Sequence, residues 1–323
     1  MATPEPGLNS EIGLNRVQPS LAHTSRFALV GGALLLVTYA LCWIIVPSEG
    51  ILLRQLWFLP SIGVIGAIIA NASGTGGGVV FVPVFNVMHD LRVMDLDPLR
   101  VTAVSMGIQA FGMSVGALRW TDRLYHQREP APLETQTCTR DYWLVCGLVL
   151  TFSVPTLLAT QRLFTFDGQE ILLSYKIFSI VLGITLLIAT WTFNRDIHER
   201  AQLEPIDIAV LTLIAIPGGA ITALFSVGIG ELVAFYLFMR HYPILLSVGS
   251  ACVISAVTVA TGFIWHVDAG TVNWEVVLLA APGAMLGAFL ARPIALWLGP
   301  LKLKTLGALW IIGSALYLLW LNW

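Results

Sequence analysis

Asn71-Ala72-Ser73-Gly74-Thr75-Gly76-Gly77-Gly78 interrupts an apolar stretch. Residues 51–70 before it are apolar, and about ten apolar residues follow it before His89-Asp90. The pattern recurs further on. Residues 208–225 are apolar, break at Ser226-Val227-Gly228-Ile229-Gly230, and resume in a short run ending at Arg240-His241. Glycine frees the backbone from helical geometry and exposes its polar groups. In hydrocarbon such backbone survives only where protein or a water-filled cavity covers it. Each break is therefore read as the tip of a re-entrant hairpin or broken helix buried inside a bundle. The plainer reading of one glycine run is close helix packing. Two breaks in matching positions argue against it.

The rest of the chain supports a bilayer as solvent. Of 323 residues, 57% are hydrophobic and 11% charged, where soluble domains carry roughly 25% charged residues. Mean hydropathy is +0.81. A spanning helix needs about 20 apolar residues, and spans are predicted at 27–46, 101–118, 143–160, 173–193, 245–266, 276–296 and 303–320. The predicted fold is an all-α integral membrane protein of about seven spanning helices plus two hairpins. Residues 1–26 read as a polar, disordered cytoplasmic tail. Residues 27–46 are too long for a signal-peptide core, and Ile44-Ile45-Val46-Pro47 is no small-residue cleavage site, so this run is a retained extra helix. The eleven tryptophans fit interfacial belts. Cys42, Cys138, Cys146 and Cys252 form no CxxC pair and read as apolar fillers and one loop thiol. A net charge of −2 without a basic block speaks against nucleic acid as a partner, and no G-x(4)-G-K-[ST] loop indicates ATP-driven transport. No cofactor or metal site is expected.

The two halves share one order: apolar arm, Gly-rich break, short arm, then three helices. Val101-Thr-Ala-Val-Ser105 stands where Ser247-Val-Gly-Ser-Ala251 stands, and Asp141-Tyr-Trp143 where Val272-Asn-Trp274 stands. Repeat A is assigned to 51–193 and repeat B to 207–320. The loop 119–142 carries Arg119, Arg123, Arg128 and Arg140, while its counterpart 266–275 carries no Lys or Arg. Loop 292–304 carries Arg292, Lys302 and Lys304, against Arg162 alone in 161–172. Because basic residues favour the cytoplasmic side, this reversal points to inverted repeats. Threading both breaks as hairpins puts the N-terminus in the cytoplasm, the C-terminus outside, and twelve Lys/Arg inside against five outside. The expected location is the cell (plasma or inner) membrane, multi-pass. The tips then enter from opposite faces and meet near the midplane, where transporters built of inverted repeats bind substrate.

A helix restarting in mid-membrane offers unpaired N–H groups and a positive dipole end to anions. Asn71, Ser73, Thr75, Gly76, Gly77 and Gly78 supply that chemistry in repeat A; Ser226, Gly228 and Gly230 supply it in repeat B. Ser105, Gln109, Ser250 and Ser255 could line the path, or serve as interhelical hydrogen-bond glue. Glu231 has two readings. It titrates and couples protons, or it caps its own helix N-terminus. His266 reads either as a gate or proton site or as an interfacial residue.

These residues resemble the sulfite exporter TauE/SafE family. The likeness rests on Gly74-Thr-Gly-Gly-Gly78 with Pro83, Gly228-x-Gly230, the helix 247–266 ending in His266, Gly270 with Trp274, and Ala281-Pro-Gly-Ala-Met-Leu-Gly-Ala288, and covers roughly 51–320. It implies a permease for sulfite, organosulfonates or related small anions. Repeat B departs from the pattern: Ser226 replaces the first glycine, Glu231 follows the last, and Phe235 stands where Pro83 would. The expected function is export of a small sulfur oxyanion by alternating access between the two breaks. The partners are that anion and the bilayer, and a homo-oligomer is compatible with the sequence. Two other classes remain: an intramembrane serine protease using Ser73 and His266, and a non-transporting assembly subunit.

Overall fold

The computed structural model describes residues 25–46, 56–127, 136–164, 168–192 and 199–321. The expected tail through residue 24, the start of repeat A at 51–55 and its end at 193, and the middle of the Arg-rich loop at 128–135 lie outside the described residues. Among the described residues ten helices follow in order: α1 (Arg26–Ile45), α2 (Leu59–Ser73), α3 (Gly78–Asp90), α4 (Pro98–Tyr125), α5 (Thr139–Leu163), α6 (Gly168–Thr192), α7 (Pro205–Phe225), α8 (Ile229–Met239), α9 (Ser250–Asp268) and α10 (Trp274–Leu321). A π-helical turn, Leu245–Gly249, leads into α9. No strand occurs among the described residues.

Lengths decide what crosses. Six segments are long and apolar enough: Arg26–Ile45, Pro98–Tyr125, Thr139–Leu163, Pro205–Phe225, Leu245–Asp268 and Trp274–Gly299. At 1.5 Å per residue, the 15 residues of α2 and 11 of α8 reach about 22 and 16 Å, short of a ~30 Å hydrocarbon core. The predicted spans 173–193 and 303–320 correspond to α6 and the second arm of α10, whose apolar centres are the shorter stretches Leu172–Thr185 and Thr305–Tyr317. Gly299, at φ 73°, separates the two arms of α10.

The broken segments end in one way. Gly74 takes a left-handed conformation (φ 75°) as its N–H donates to Ala70 O at 3.0 Å. Ser226 does the same at φ 59°, its N–H donating to Thr222 O at 2.9 Å. A left-handed C-terminal residue satisfies an orphan carbonyl and turns the chain. The breaks are shorter than the sequence suggested. Asn71 and Ser73 lie in the last turn of α2, Gly78 opens α3, and Ile229 and Gly230 open α8. Only residues 74–77 and 226–228 are non-helical.

The hairpins enter from opposite ends of α4. Pro60 meets Gly283 and Val64 meets Gly287, so α2 runs alongside the first arm of α10 and in its direction. That arm in turn follows α4, with Val277 at Gly107 and Ala284 at Gly112. Progress along α2 is therefore progress toward Tyr125, and its end meets Gly116 and Trp120 through Asn71. The descent of α7 is the reverse. Leu203, just before it, donates to Asp141 at the start of α5, and Leu224 at its end accepts from Thr102 near the start of α4. At Gly63, Gly283 and Gly287 a Cβ would collide with facing backbone, so glycine sets the α2–α10 spacing.

The mouth of the second hairpin is tied by Asp207, which is fully buried. Its carboxylate accepts from Tyr236 Oη at 2.6 Å, Arg240 Nε at 2.8 Å, Tyr242 Oη, and the Glu204 N–H at 2.9 Å. It joins the start of α7 to the end of α8. Asp207→Ala should lower the stability of the detergent-solubilised protein by about 3 kcal/mol, because it removes the buried acceptor shared by Arg240 and two tyrosines, although Arg240 keeps Glu204. Tryptophan-fluorescence unfolding measures the loss, and an unchanged midpoint would show that the clamp carries no stability.

Candidate functional site

The two tips pack against each other over the middle of α4. A Cβ on Gly78 would strike Val227 and the Ser226 carbonyl. One on Gly74 would sit 3.1 Å from Val248 Cα and 3.2 Å from Ala234 Cβ. The Gly74 carbonyl faces Gly230, beside Ser255. Gln109 ties the second tip to α4 through its amide nitrogen and packs beside Gly76 and Gly77 of the first. Its Nε2 shares its two hydrogens among four acceptors, Ser226 Oγ at 2.6 Å, Ser226 O at 3.2 Å, Ser105 Oγ at 3.0 Å and Ser105 O at 3.2 Å. Two of these partners are carbonyls that can only accept, so chemistry fixes the amide orientation.

Most side-chain donors named from the sequence are spent locally. Asn71 Nδ2 donates to Ala67 O at 2.9 Å. Ser73 Oγ donates to Ile69 O at 2.7 Å and lies 2.6 Å from Thr75 Oγ1. Ser250 Oγ donates to Leu246 O at 2.5 Å, within its own helix, and its carbonyl faces Cys146 rather than a tip. What remains for a ligand is backbone. Gly76, Gly77 and Gly78 contribute the first N–H groups of α3, which have no partner within a helix.

The second tip is differently furnished. Glu231 Oε2 accepts from the Gly228 N–H at 2.8 Å, and Ile229 N donates to Thr222 Oγ1 at 3.0 Å. Glu231 therefore caps α8, as one of its two sequence readings held. Its other oxygen, Oε1, faces Gly76, whose N–H approaches the carboxylate without closing a well-aligned hydrogen bond. The anion site expected around Ser226, Gly228 and Gly230 already holds an anion, the protein's own carboxylate.

His266 lies apart from the tips. It is buried, with Nδ1 2.9 Å from Thr271 Oγ1 and its ring 4.9 Å from that of Trp265. Ser73 Oγ is engaged by Ile69 and Thr75 and shares no hydrogen bond with His266, whose Nε2 is buried without a partner, so the geometry of a serine–histidine nucleophile is not formed. Sequence reading passed over Lys176, 5% exposed on α6 in the field of Asp90, and Asp207. A charge inside or at the edge of an apolar span was the available signal for both. It also passed over Trp120, whose Nε1 donates to Asn71 O at 3.0 Å.

An all-helical bundle with six span-length helices and opposed broken-helix hairpins defines a polytopic membrane protein. Residues 59–318 match the family described as sulfite exporter TauE/SafE. The chain belongs to that family, which implies a membrane transporter of sulfur anions. Neither the curated proteins nor the solved structures compared with it contain a match.

Ser226 isolates two effects. A left-handed non-glycine residue costs roughly 1 kcal/mol, and a buried hydrogen bond contributes about as much. Ser226→Gly removes both and should move stability by less than about 1 kcal/mol, whereas Ser226→Val keeps the strain, loses the bond and should cost about 2–3 kcal/mol. Chemical unfolding of both variants checks the difference, and equal losses would contradict the assignment.

Proposed function

We propose that this chain is a multi-pass permease of the cell membrane that moves a small sulfur oxyanion, sulfite or an organosulfonate, by alternating access. The observation that carries the reading is the meeting of two Gly-rich tips, entering from opposite ends of α4 and joined by Gln109 and Ser226. Two inverted repeats, 51–193 and 207–320, generate that arrangement, with the N-terminus cytoplasmic and the C-terminus outside. The anion sits at the N-terminus of α3, where Gly76, Gly77 and Gly78 present N–H groups and let a ligand approach the backbone. Asn71, Ser73, Thr75, Ser105, Gln109 and Ser226 are each at most 6% exposed, which supports a state occluded from both sides. Rocking of one hairpin against the other opens it.

Flux into proteoliposomes of sulfite, sulfoacetate, thiosulfate, sulfate and lactate, with and without a pH gradient, tests the reading. Saturable movement of a sulfur oxyanion is expected. Lactate moving as fast would broaden the substrate class, and no movement of any of the five would count against the permease. A Cβ on Gly77 would stand 2.7 Å from Phe81 and 2.8 Å from Gln109. Gly77→Leu should reduce flux at least tenfold in protein that still inserts, and normal flux would move the site away from this tip.

A further inference from the structure

Two buried acceptor oxygens converge on Gly76, whose own N–H approaches the Glu231 carboxyl group without closing a well-aligned hydrogen bond. Glu231 Oε1 and Gln109 Oε1 lie 3.0 and 3.1 Å from the point where a Cβ on Gly76 would stand. Neither has a hydrogen-bond partner, and the residues are 2% and 1% exposed. The acceptors of Ser105 and Ser226 around Gln109 Nε2 hold its oxygen in that direction. Unsatisfied buried acceptors are costly, and a pair aimed at one place calls for something that donates. No group of three or more His, Cys, Asp or Glu that could hold a metal ion occurs among the described residues. A carboxyl group supplies the missing donor when it takes up a proton, since its hydroxyl then donates while its other oxygen still accepts.

The same carboxylate stands where a transported anion would compete with it. It accepts from Gly228 and reaches toward Gly76, the first residue of the N–H series proposed for the substrate. Two like charges about 4 Å apart in a protein interior disfavour each other by roughly a thousandfold. An ionised Glu231 and a bound anion at α3 therefore exclude each other.

We propose that Glu231 is a resident surrogate for the substrate, and that an anion binds at the tip of α3 only as one proton joins Glu231 Oε1 and is shared with Gln109 Oε1. The proton comes from water on the side to which the site is open, and anion and proton leave together. The inference rests on the permease reading above. The surroundings leave Glu231 as the group that changes charge. From α4 it meets Gln109, from the first break Gly76, from the second Ser226, and near its helix start stand Thr222 of α7 and Ser255 of α9; none of these titrates. Tyr175 on α6 is the titratable side chain whose field it shares. Asp207 and Arg240 pair at the far end of the hairpin.

Calorimetric binding of methanesulfonate to the purified full-length protein, in buffers of differing ionisation heat across the neutral range, tests this. That anion carries a fixed charge, so any pH dependence belongs to the protein. Affinity should fall roughly tenfold per pH unit above the titration point, with one proton taken up per anion bound. Glu231→Gln keeps an acceptor for Gly228 and a donor for Gln109, and should bind with pH-independent affinity and no proton uptake. Gln109→Leu should retain the slope but move it to lower pH, because the protonated carboxyl loses its acceptor. Wild-type binding without proton uptake, or an unaltered slope in Glu231→Gln, would overturn the proposal while leaving the anion site standing. No methanesulfonate binding at any pH would overturn the anion site and the proposal together.

Discussion

An N–H or C=O group left open in hydrocarbon costs several kcal/mol, so helices that stop in mid-bilayer must be covered by protein. The rest of the architecture depends on that constraint. Gly74 and Ser226 turn the chain back, and each tip covers the other. The Ser226 carbonyl is taken by Gln109, and the Asn71 carbonyl by Trp120. One helix, α4, supplies both donors and serves both hairpins. That explains why its central turns are almost wholly buried, while α1, which covers no break, exposes Leu29, Val30 and Leu34 to lipid.

Charges inside the bundle follow the same rule of cover. Asp207 accepts from four donors and fastens one hairpin at its mouth. At the end of α4, Asp122 accepts from the Ser25 N–H at 2.8 Å and faces Arg292 at 3.6 Å, tying the starts of α1 and the ends of α4 and α10 to one point. These groups are anchored near the ends of their helices. Glu231 differs in kind. It lies at the crossing of the tips, with one oxygen engaged and one not. A fully satisfied carboxylate fixes structure. A half-satisfied one stores the capacity to change state.

Much of this was legible in the sequence because a bilayer simplifies the code. Long apolar runs gave the helices, with boundaries that moved by a few residues, and the two Gly-rich interruptions gave the hairpins. Less legible was how far each helix runs into its break. Asn71 and Ser73 look like loop residues, yet their side chains bond back to Ala67 and Ile69 and keep the last turn helical. The side-chain anion donors expected there were spent for the same reason, which only coordinates reveal. Gln109 was visible as a polar residue in an apolar helix, but its role as the bridge between tips depends on a contact 117 positions away. Asp207 and Lys176 were missed for different reasons: Lys176 sits inside the run 173–193, which was taken whole, and Asp207 stands just outside the run 208–225.

The difference between the tips carries the remaining argument. Were they alike, each would offer a helix N-terminus, and the protein would hold two equivalent anion positions. They are unlike at one place. The first has Gly76, Gly77 and Gly78 with no acid following, and the second has Glu231 directly after Gly230. The Glu231 carboxyl group, bonded to the Gly228 N–H, occupies the second N-terminus, and on the proposed reading a mobile anion competes for the first. The proposed duplication then yields one substrate position and one built-in counterpart, facing each other across Gly76. In the proposed cycle such a pair binds a single anion, and its occupancy answers to the charge on Glu231.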